Sequence, residues 1–530
     1  MKLINIFITA AAVFLLGACK KSFLDVQPIT KVTDENFYKT PADGFKALVG
    51  CYDGLQIIWS AGVSLPVASE VFSDDCFGGT GNSDGFGYQM LDEFDRSRSP
   101  SDQNIFDQNW GFYYKAIYRC NVFLSKMDQI SWGSNTALRN TYEAETRYIR
   151  AYLYFDMMRL WGHIPLLTTP SAENLPQSEP DAVYKVIADD LKFSAANLPS
   201  VAYSAQAPGD HGRVTRYAAE ALLGRVFLFY TGYYGKTDLV GSVDRTAVLN
   251  GLEDIINTGG YDLIENYANL WPAASQDAYA KEDNKETIFA IKYTYTSDYN
   301  GNTDGNHWMV MLGMREQYSF PYGNGWGGGT VNPKLWNAFN ANDSRKVAST
   351  ISIADENINF VNQSKQREYT GYYVKKYSPM VDRNGVPLPQ LNQAVDFQIG
   401  QFQDYVSIRY ADVLLMAAEL GSVNAQNYFD KVRRRAYLDK FVSLPVNKEN
   451  IMSERRLEFA FEGLRFYDLL RQGVNTAAQQ IAESTTVLNG GVSTAKTISA
   501  VRIIETQGLQ QIPNTQITLS NGTLKQNAGW

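Results

Sequence analysis

Apolar residues recur at helical spacing along most of the chain. Trp110, Tyr114, Ile117 and Leu124 fall at steps of three, four and seven, with Asn121 between the last two, which predicts an amphipathic helix. The next helix, over about 138–161, is apolar around its whole circumference from Tyr148 onward and must therefore be buried. It nevertheless carries Glu145, Arg147, Arg150, Asp156 and Arg159. Buried charges persist only when paired and hydrogen-bonded, so these residues predict ion pairs between packed helices. Thr215 is placed to cap a helix running to Tyr230, whose Ala218, Ala219, Ala221 and Gly224 admit a close neighbour. Further helical pattern covers 41–58, 181–197, 405–420, 425–436 and 448–471. Helix pairs of this kind predict a mainly α fold, a tetratricopeptide-like helical repeat scaffold, although no fixed repeat period is legible.

Between 271 and 402 the pattern changes to short alternating strands, such as 287–295, set among Gly, Asn and Asp loops. Tyr293 to Trp326 holds eight aromatics in 34 residues, about 24% against 13% for the whole chain. An earlier loop, 70–95, is also glycine-rich and carries Phe72, Phe77, Phe86 and Tyr88. Aromatics in such loops either dock on a neighbouring element or face a ligand. The division expected is a helical part over 37–270, a loop-rich region with short strands over 271–402, and C-terminal helices with an extended tail over 403–530.

The first residues set the location. Lys2 is followed by an apolar run to Leu16, too short to span a bilayer, and then by Gly17-Ala18-Cys19. Residues 1–18 read as a removable export signal, Cys19 as the lipidation site and 19–36 as a polar tether. With 1–18 gone, 47 basic and 56 acidic residues remain, a net charge near −9, and no basic run offers a surface for phosphates. Nucleic acid is not an expected partner. Cys51, Cys76 and Cys120, widely spaced and without a CxxC, read neither as a disulfide framework nor as a zinc site.

Enzyme chemistry finds little support. Gly81-Asn-Ser-Asp-Gly85 fits the G-x-S-x-G pattern, but polar sequence on both sides of Ser83 lacks the strand and helix of a nucleophile elbow. His163, His211 and His307 share no metal-binding spacing. Asp298, Asn300, Asn302 and Asp304 alternate like the start of a calcium loop, a weak calcium candidate without the glycine and glutamate such a loop requires. Paired acids such as Asp74-Asp75 and Asp92-Glu93 are what a glycosidase would need, at a separation that sequence does not give. No catalytic residue and no cofactor is assigned.

Several segments together resemble one family. Arg409-Tyr-Ala-Asp-Val-Leu-Leu-Met-Ala-Ala-Glu419, Val432-Arg-Arg-Arg-Ala436 and the long run from Glu454 to Arg471 are similar, in order, to motifs of the SusD/RagB family of outer-membrane lipoproteins. Cys19 with Phe23-Leu24-Asp25, Trp110 to Asn121, Arg147 to Tyr152, Trp161-Gly162, Pro165-Leu166, Ala218 to Tyr230, Glu286 to Ile291 and Ile512 to Trp530 extend the likeness over nearly the whole mature chain. The resemblance implies a lid that binds nutrient at the cell surface, partnered by a TonB-dependent outer-membrane transporter, without catalysis. Lys20-Lys21 replaces the acidic residues often linked to surface export in this group, and Asp430 stands where the family usually has Asn.

The charges of 454–471 predict scaffold, because Glu462, Arg465, Asp468 and Arg471 alternate in sign at three-residue steps along one helical face. The expected ligand is a glycan, whose C–H faces stack on aromatic rings while its hydroxyls find polar anchors. Trp308, Tyr322 and Trp326, with Phe77, Asn82, Asp84, Phe86 and Tyr88, are the candidate ligand-binding residues. A peptide-binding member of the same family, and then a surface glycosidase, are the alternatives.

Overall fold

A computed structural model describes residues 37–97, 104–171 and 173–530; Cys19 and the tether to residue 36 lie outside them. The longer helices form a continuous array. α1 (Pro41–Ile57) packs on α2 (Asp107–Lys126), which packs on α3 (Thr136–Trp161); α4 (Pro180–Asn197), α5 (Arg216–Tyr234) and α6 (Arg245–Thr258) follow in turn, each against the one before. Among the described residues, no helix is long and apolar enough to cross a membrane.

Local chemistry sets the helix starts. Pro41 occupies the first turn of α1, where Thr40 Oγ1 accepts from the Asp43 amide at 3.3 Å and the Asp43 carboxylate accepts from the Thr40 amide at 2.9 Å. Thr215 caps α5 through the Ala218 amide. The charges buried in α3 are paired across helices: Arg150 donates to Asp190 of α4 at 2.8 Å and to Asn121 of α2 at 2.8 Å, and Arg213 donates to Glu145 at 3.1 Å.

After α6 the chain leaves the array for 150 residues and returns at α7 (Tyr410–Glu419), which packs on α6, α5 and α8 (Ala425–Tyr437). The excursion contains short two-stranded pairings. β1 (Cys76–Gly79), from the N-terminal part, pairs antiparallel with β5 (Gly328–Val331), and β6 (Thr350–Ser352) with β7 (Tyr372–Val374). β2 (Thr287–Ile291) pairs with β8 (Tyr405–Arg409), so the first turn of the pattern read as helix from 405 is a strand. Two-residue β3 (Met314–Arg315) and β4 (Asn324–Gly325) run parallel. A hairpin of β9 (Glu483–Asn489) and β10 (Val492–Ile498) closes the set, and the tail after it contains a helix at Asn514–Leu519 where extended chain was expected.

A buried charge network ties the excursion to the array. Arg409 donates to Glu462 at 2.7 Å, to Glu458 at 3.0 Å and to Glu286, which also accepts from Arg435 at 2.7 Å. Arg345 joins Asp343, Glu454 and Glu458, and Lys376 Nζ donates to Glu462 at 2.7 Å. The three surrounding guanidinium groups, of Arg435, Arg409 and Arg345, overcome the burial penalty and hold the Glu458 carboxyl well below the ordinary range.

This corrects the reading of 454–471 as one helix with pairs along its face. The chain breaks between α9 (Lys448–Glu458) and α10 (Arg465–Leu470), where Phe461 and Gly463 take φ of 67° and 78°. Of the pairs expected at three-residue steps, Asp468 with Arg471 at 2.8 Å is the one formed; Glu462 turns to Arg409, and Arg465 reaches Asp74 at 2.8 Å.

Candidate functional site

The loop after β1 is built by close backbone approach. Gly79 has φ of 71°, and a Cβ on it would lie 2.4 Å from the Gly327 carbonyl oxygen, so no side chain fits there. Beyond it, the Thr80 amide donates to Gly327 O at 2.7 Å, the Arg367 amide to Thr80 O at 2.8 Å and the Asn82 amide to Lys365 O at 2.9 Å. Buried Gln366 completes the seam, its Nε2 donating to Gly327 O at 2.8 Å and Thr80 O at 3.0 Å.

Two arginines fix the turn itself. Arg315 Nη1 donates to Asp84 Oδ2 at 2.9 Å and to the Trp326 carbonyl at 3.3 Å, and Asp84 Oδ2 also accepts from the Gly81 amide at 2.7 Å. Arg367 donates to the carbonyls of Gly85 at 2.9 Å, Asp84 at 2.9 Å and Asn82 at 3.1 Å, and its guanidinium lies 4.1 Å from the Phe86 ring centroid. Phe86 and Trp326 keep 44% and 41% of their surface exposed on this frame. The half-exposed Phe86 ring lies on the Arg367 guanidinium, and half-exposed Trp326 joins the network through its carbonyl.

The candidate residues therefore divide. Asn82, Asp84, Phe86 and Trp326 all belong to this network, with Asn82 Nδ2 donating to Ser364 O at 2.9 Å. Tyr88 is half-buried beside it, and burial alone pushes its hydroxyl far above the usual range. Phe77, on β1, is buried in the core. Trp308 is 5% exposed, its ring 5.1 Å from Tyr377 and 5.8 Å from Tyr405, so its faces are filled by the protein itself. Tyr322 is also buried, and its Oη donates to Glu356 at 2.6 Å. The reason is common to the three: each lies where two chain segments cross, and an aromatic side chain fills the crossing.

The calcium candidate is a self-capped loop. Asp298 Oδ1 accepts the amides of Asn300 at 2.8 Å and Asn302 at 3.0 Å, and Asn302 Oδ1 accepts that of Asp304 at 2.9 Å. Among the described residues the converging ligand set is a different one, Asp92, Glu93 and Glu368, and Lys496 Nζ from β10 sits among them at 2.9, 3.0 and 2.6 Å. The ammonium occupies the place a cation would take. Asp74 and Asp75 are buried on Arg456 and Arg465 and are structural. Ser83 is exposed on the turn, and His307 is held between Ser60 O at 2.8 Å and Ser297 Oγ at 3.1 Å.

A cavity of about 480 Å³ lies within the excursion, between the Phe320–Pro321 segment, the turn at 380–388 and the irregular stretch 401–403 just before β8. Phe320 is one of the eight clustered aromatics between Tyr293 and Trp326, and nothing local in the sequence signals Arg315, Gln366 or Arg367, whose partners in the turn lie 231, 286 and 282 residues away.

A model described as "SusD family" matches residues 359–530, and one described as "Starch-binding associating with outer membrane" matches residues 60–228, together well over half of the chain. The chain belongs to the SusD/RagB family. A SusD-like protein of Formosa agariphila is 24% identical over 512 residues, covering 89% of this chain and 90% of that one. A SusD-like protein of Bacteroides ovatus is 24% identical, covering 88% and 82%. Among solved structures, a laminarin-binding SusD-like protein superposes with a TM-score of 0.72 at 26% identity, covering 93% of this chain and all of that one. Surface glycan-binding protein A of Bacteroides thetaiotaomicron, solved with laminarihexaose, superposes at 0.74 with 21% identity, again over 93% of this chain and all of the other. These SusD relatives share the tetratricopeptide-like helical fold, here interrupted by the excursion between α6 and α7.

Proposed function

We propose that this SusD-family chain is a non-catalytic glycan-binding lipoprotein of the outer-membrane surface, which delivers oligosaccharide to a TonB-dependent transporter. The observation that carries the reading is the pair of half-exposed rings, Phe86 and Trp326, on the frame built by Asp84, Arg315 and Arg367. Sugar rings stack their C–H faces on such platforms and exchange hydroxyl hydrogen bonds with the groups beside them. Catalysis is not part of the proposal, because the oxygens of Asp84 are already occupied by Arg315 and the Gly81 amide and no histidine shares the face. Relatives named for laminarin and laminarihexaose make neutral β-glucans the first ligands to try. Cys19, in its Leu16-Gly17-Ala18-Cys19 setting, supplies the lipid anchor.

Electrophoresis of the folded protein through native gels containing single polysaccharides tests the proposal. Migration retarded by at least one neutral polysaccharide, and clearly less retarded in the Phe86→Ala/Trp326→Ala double variant, is expected. Unretarded migration in every gel, together with binding of peptides, would replace this reading with that of a peptide-binding member. Co-purification of a large β-barrel protein after detergent extraction tests the transporter partnership.

A further inference from the structure

The cavity of about 480 Å³ falls within the roughly 300–1,000 Å³ of small-molecule sites, and none of Asp84, Phe86, Arg315, Trp326 or Arg367 lines it. Its walls include Met309, Phe320, Met380, Leu388 and Phe402. Phe320 is 38% exposed, and the Arg383 guanidinium lies 4.6 Å from its ring centroid. Phe402 is held edge-on by Tyr295 at 6.2 Å.

The turn that presents Arg383 is rigid. The Asp382 carboxylate accepts from the amides of Asn384 at 2.9 Å and Val386 at 2.8 Å, the Asp382 amide donates to Val386 O at 2.9 Å, and the Val381 amide donates to Pro321 O at 3.0 Å. Arg383 forms no ion pair among the described residues, so its donors remain available at the cavity mouth. Deeper in, the buried Gln403 side chain donates through Nε2 to Lys376 O at 2.9 Å, while its Oε1 has no hydrogen-bond partner. Tyr279 donates to Glu282, and Asp277 stands exposed beside them.

We propose that this cavity is a second carbohydrate-binding site, separate from the Phe86–Trp326 face, taking the end of a neutral oligosaccharide. It rests on the glycan-binding reading above and names a further site and a ligand class for it. Aromatic and thioether walls receive the apolar faces of a sugar, while hydroxyls donate to Asp277 and Glu282 and accept from Arg383. The carboxylates of Asp277, Glu282 and Asp382 outnumber the single guanidinium of Arg383, so a uronic acid or sulfated sugar meets like charge and is disfavoured.

Titration calorimetry of the purified full chain tests the proposal, with laminarihexaose, cellohexaose, maltohexaose and mannohexaose as neutral probes and hexagalacturonate as the acidic one. Leu388→Trp fills the cavity, Phe320→Ala removes a ring from its wall, and Trp326→Ala serves as the control on the other face; circular dichroism and melting confirm that each variant is folded. The expected result is residual neutral-glycan binding by Trp326→Ala, loss of at least tenfold in that residual affinity when Leu388→Trp or Phe320→Ala is added, and no binding of hexagalacturonate. Folded Trp326→Ala proteins carrying Leu388→Trp or Phe320→Ala that bind every probe as Trp326→Ala alone does would overturn the second site and leave the main reading standing. Tight hexagalacturonate binding lost in Leu388→Trp would overturn the neutral preference. Silence of the native chain toward all probes would remove both proposals together.

Discussion

Glu70 is fully buried, and only one of its oxygens is satisfied: Oε1 accepts from the Gly463 amide at 2.7 Å, and Oε2 has no hydrogen-bond partner. Burial, and then the nearby charge of Asp75, push its carboxyl from the ordinary 4.5 up to about 8. A carboxyl raised in the fold makes stability fall as pH climbs through the window in which the native state alone holds the proton. The contribution is complete below pH 4.5 and is lost as pH rises to about 8. Glu70→Gln is therefore expected to unfold at nearly the native urea midpoint at about pH 5 and to be more stable than the native chain at about pH 9, by on the order of a few kcal/mol. Equal midpoints at both pH values would show that Glu70 is ionised in the fold. The aromatic candidates divide at the same scale. Phe77 is core, so Phe77→Ala should cost about 3–5 kcal/mol in denaturant unfolding. Trp326→Ala should change stability by no more than about 0.5 kcal/mol. Composition marked both loops as aromatic, but which ring faces outward depends on whether another segment crosses over it. For Phe77 that segment is β5, more than 250 residues away in the chain.

Elements were legible where one helix face decides them. The spacing from Trp110 to Leu124, the apolar circumference after Tyr148 and the cap at Thr215 all correspond to helices whose buried residues match the pattern. Pattern failed where tertiary pairing overrides it. Residues 405–409 carry helical spacing, yet they pair with β2 as a strand because Arg409 must reach Glu286, Glu458 and Glu462. The break between α9 and α10 is sharpened by Gly463, whose φ of 78° strains any L side chain and whose neighbours Tyr405 Oη at 3.1 Å and Ser69 Oγ at 3.2 Å make a methyl group tight there. Gly463→Ala should lower stability by about 1–3 kcal/mol, read from the urea midpoint. The hairpin of β9 and β10, turning at Gly490-Gly491, lies where only helices and an extended tail are expected from sequence, and nothing local announces that Lys496 enters a nest of three carboxylates. Lys496→Met leaves Asp92, Glu93 and Glu368 without their counter-charge and should cost about 3–5 kcal/mol. Added calcium should raise the melting temperature of that variant and leave the native chain unchanged; no calcium response in the variant would show that the carboxylates separate once the lysine is gone.

Across the whole molecule, the helical array supports a 150-residue excursion that carries one wall of the Phe86–Trp326 face, while the loop after β1 carries the other. The buried network around Arg409 and the β1–β5 seam hold the two walls in register. A lipid on Cys19 would confine this body beside a transporter and raise its effective concentration there. A Cys19→Ala chain should fold and bind glycan as the native chain does and yet fail to support uptake in living cells; normal uptake would show the anchor to be dispensable. The central claim is that the outward-facing rings bind sugar. Calorimetric titration of laminarihexaose and other neutral hexasaccharides into the native chain and into Phe86→Ala/Trp326→Ala tests it most directly. Saturable heat with at least one glycan, weakened at least tenfold in a double variant of unchanged melting temperature, is the predicted result; equal binding by both proteins would contradict it.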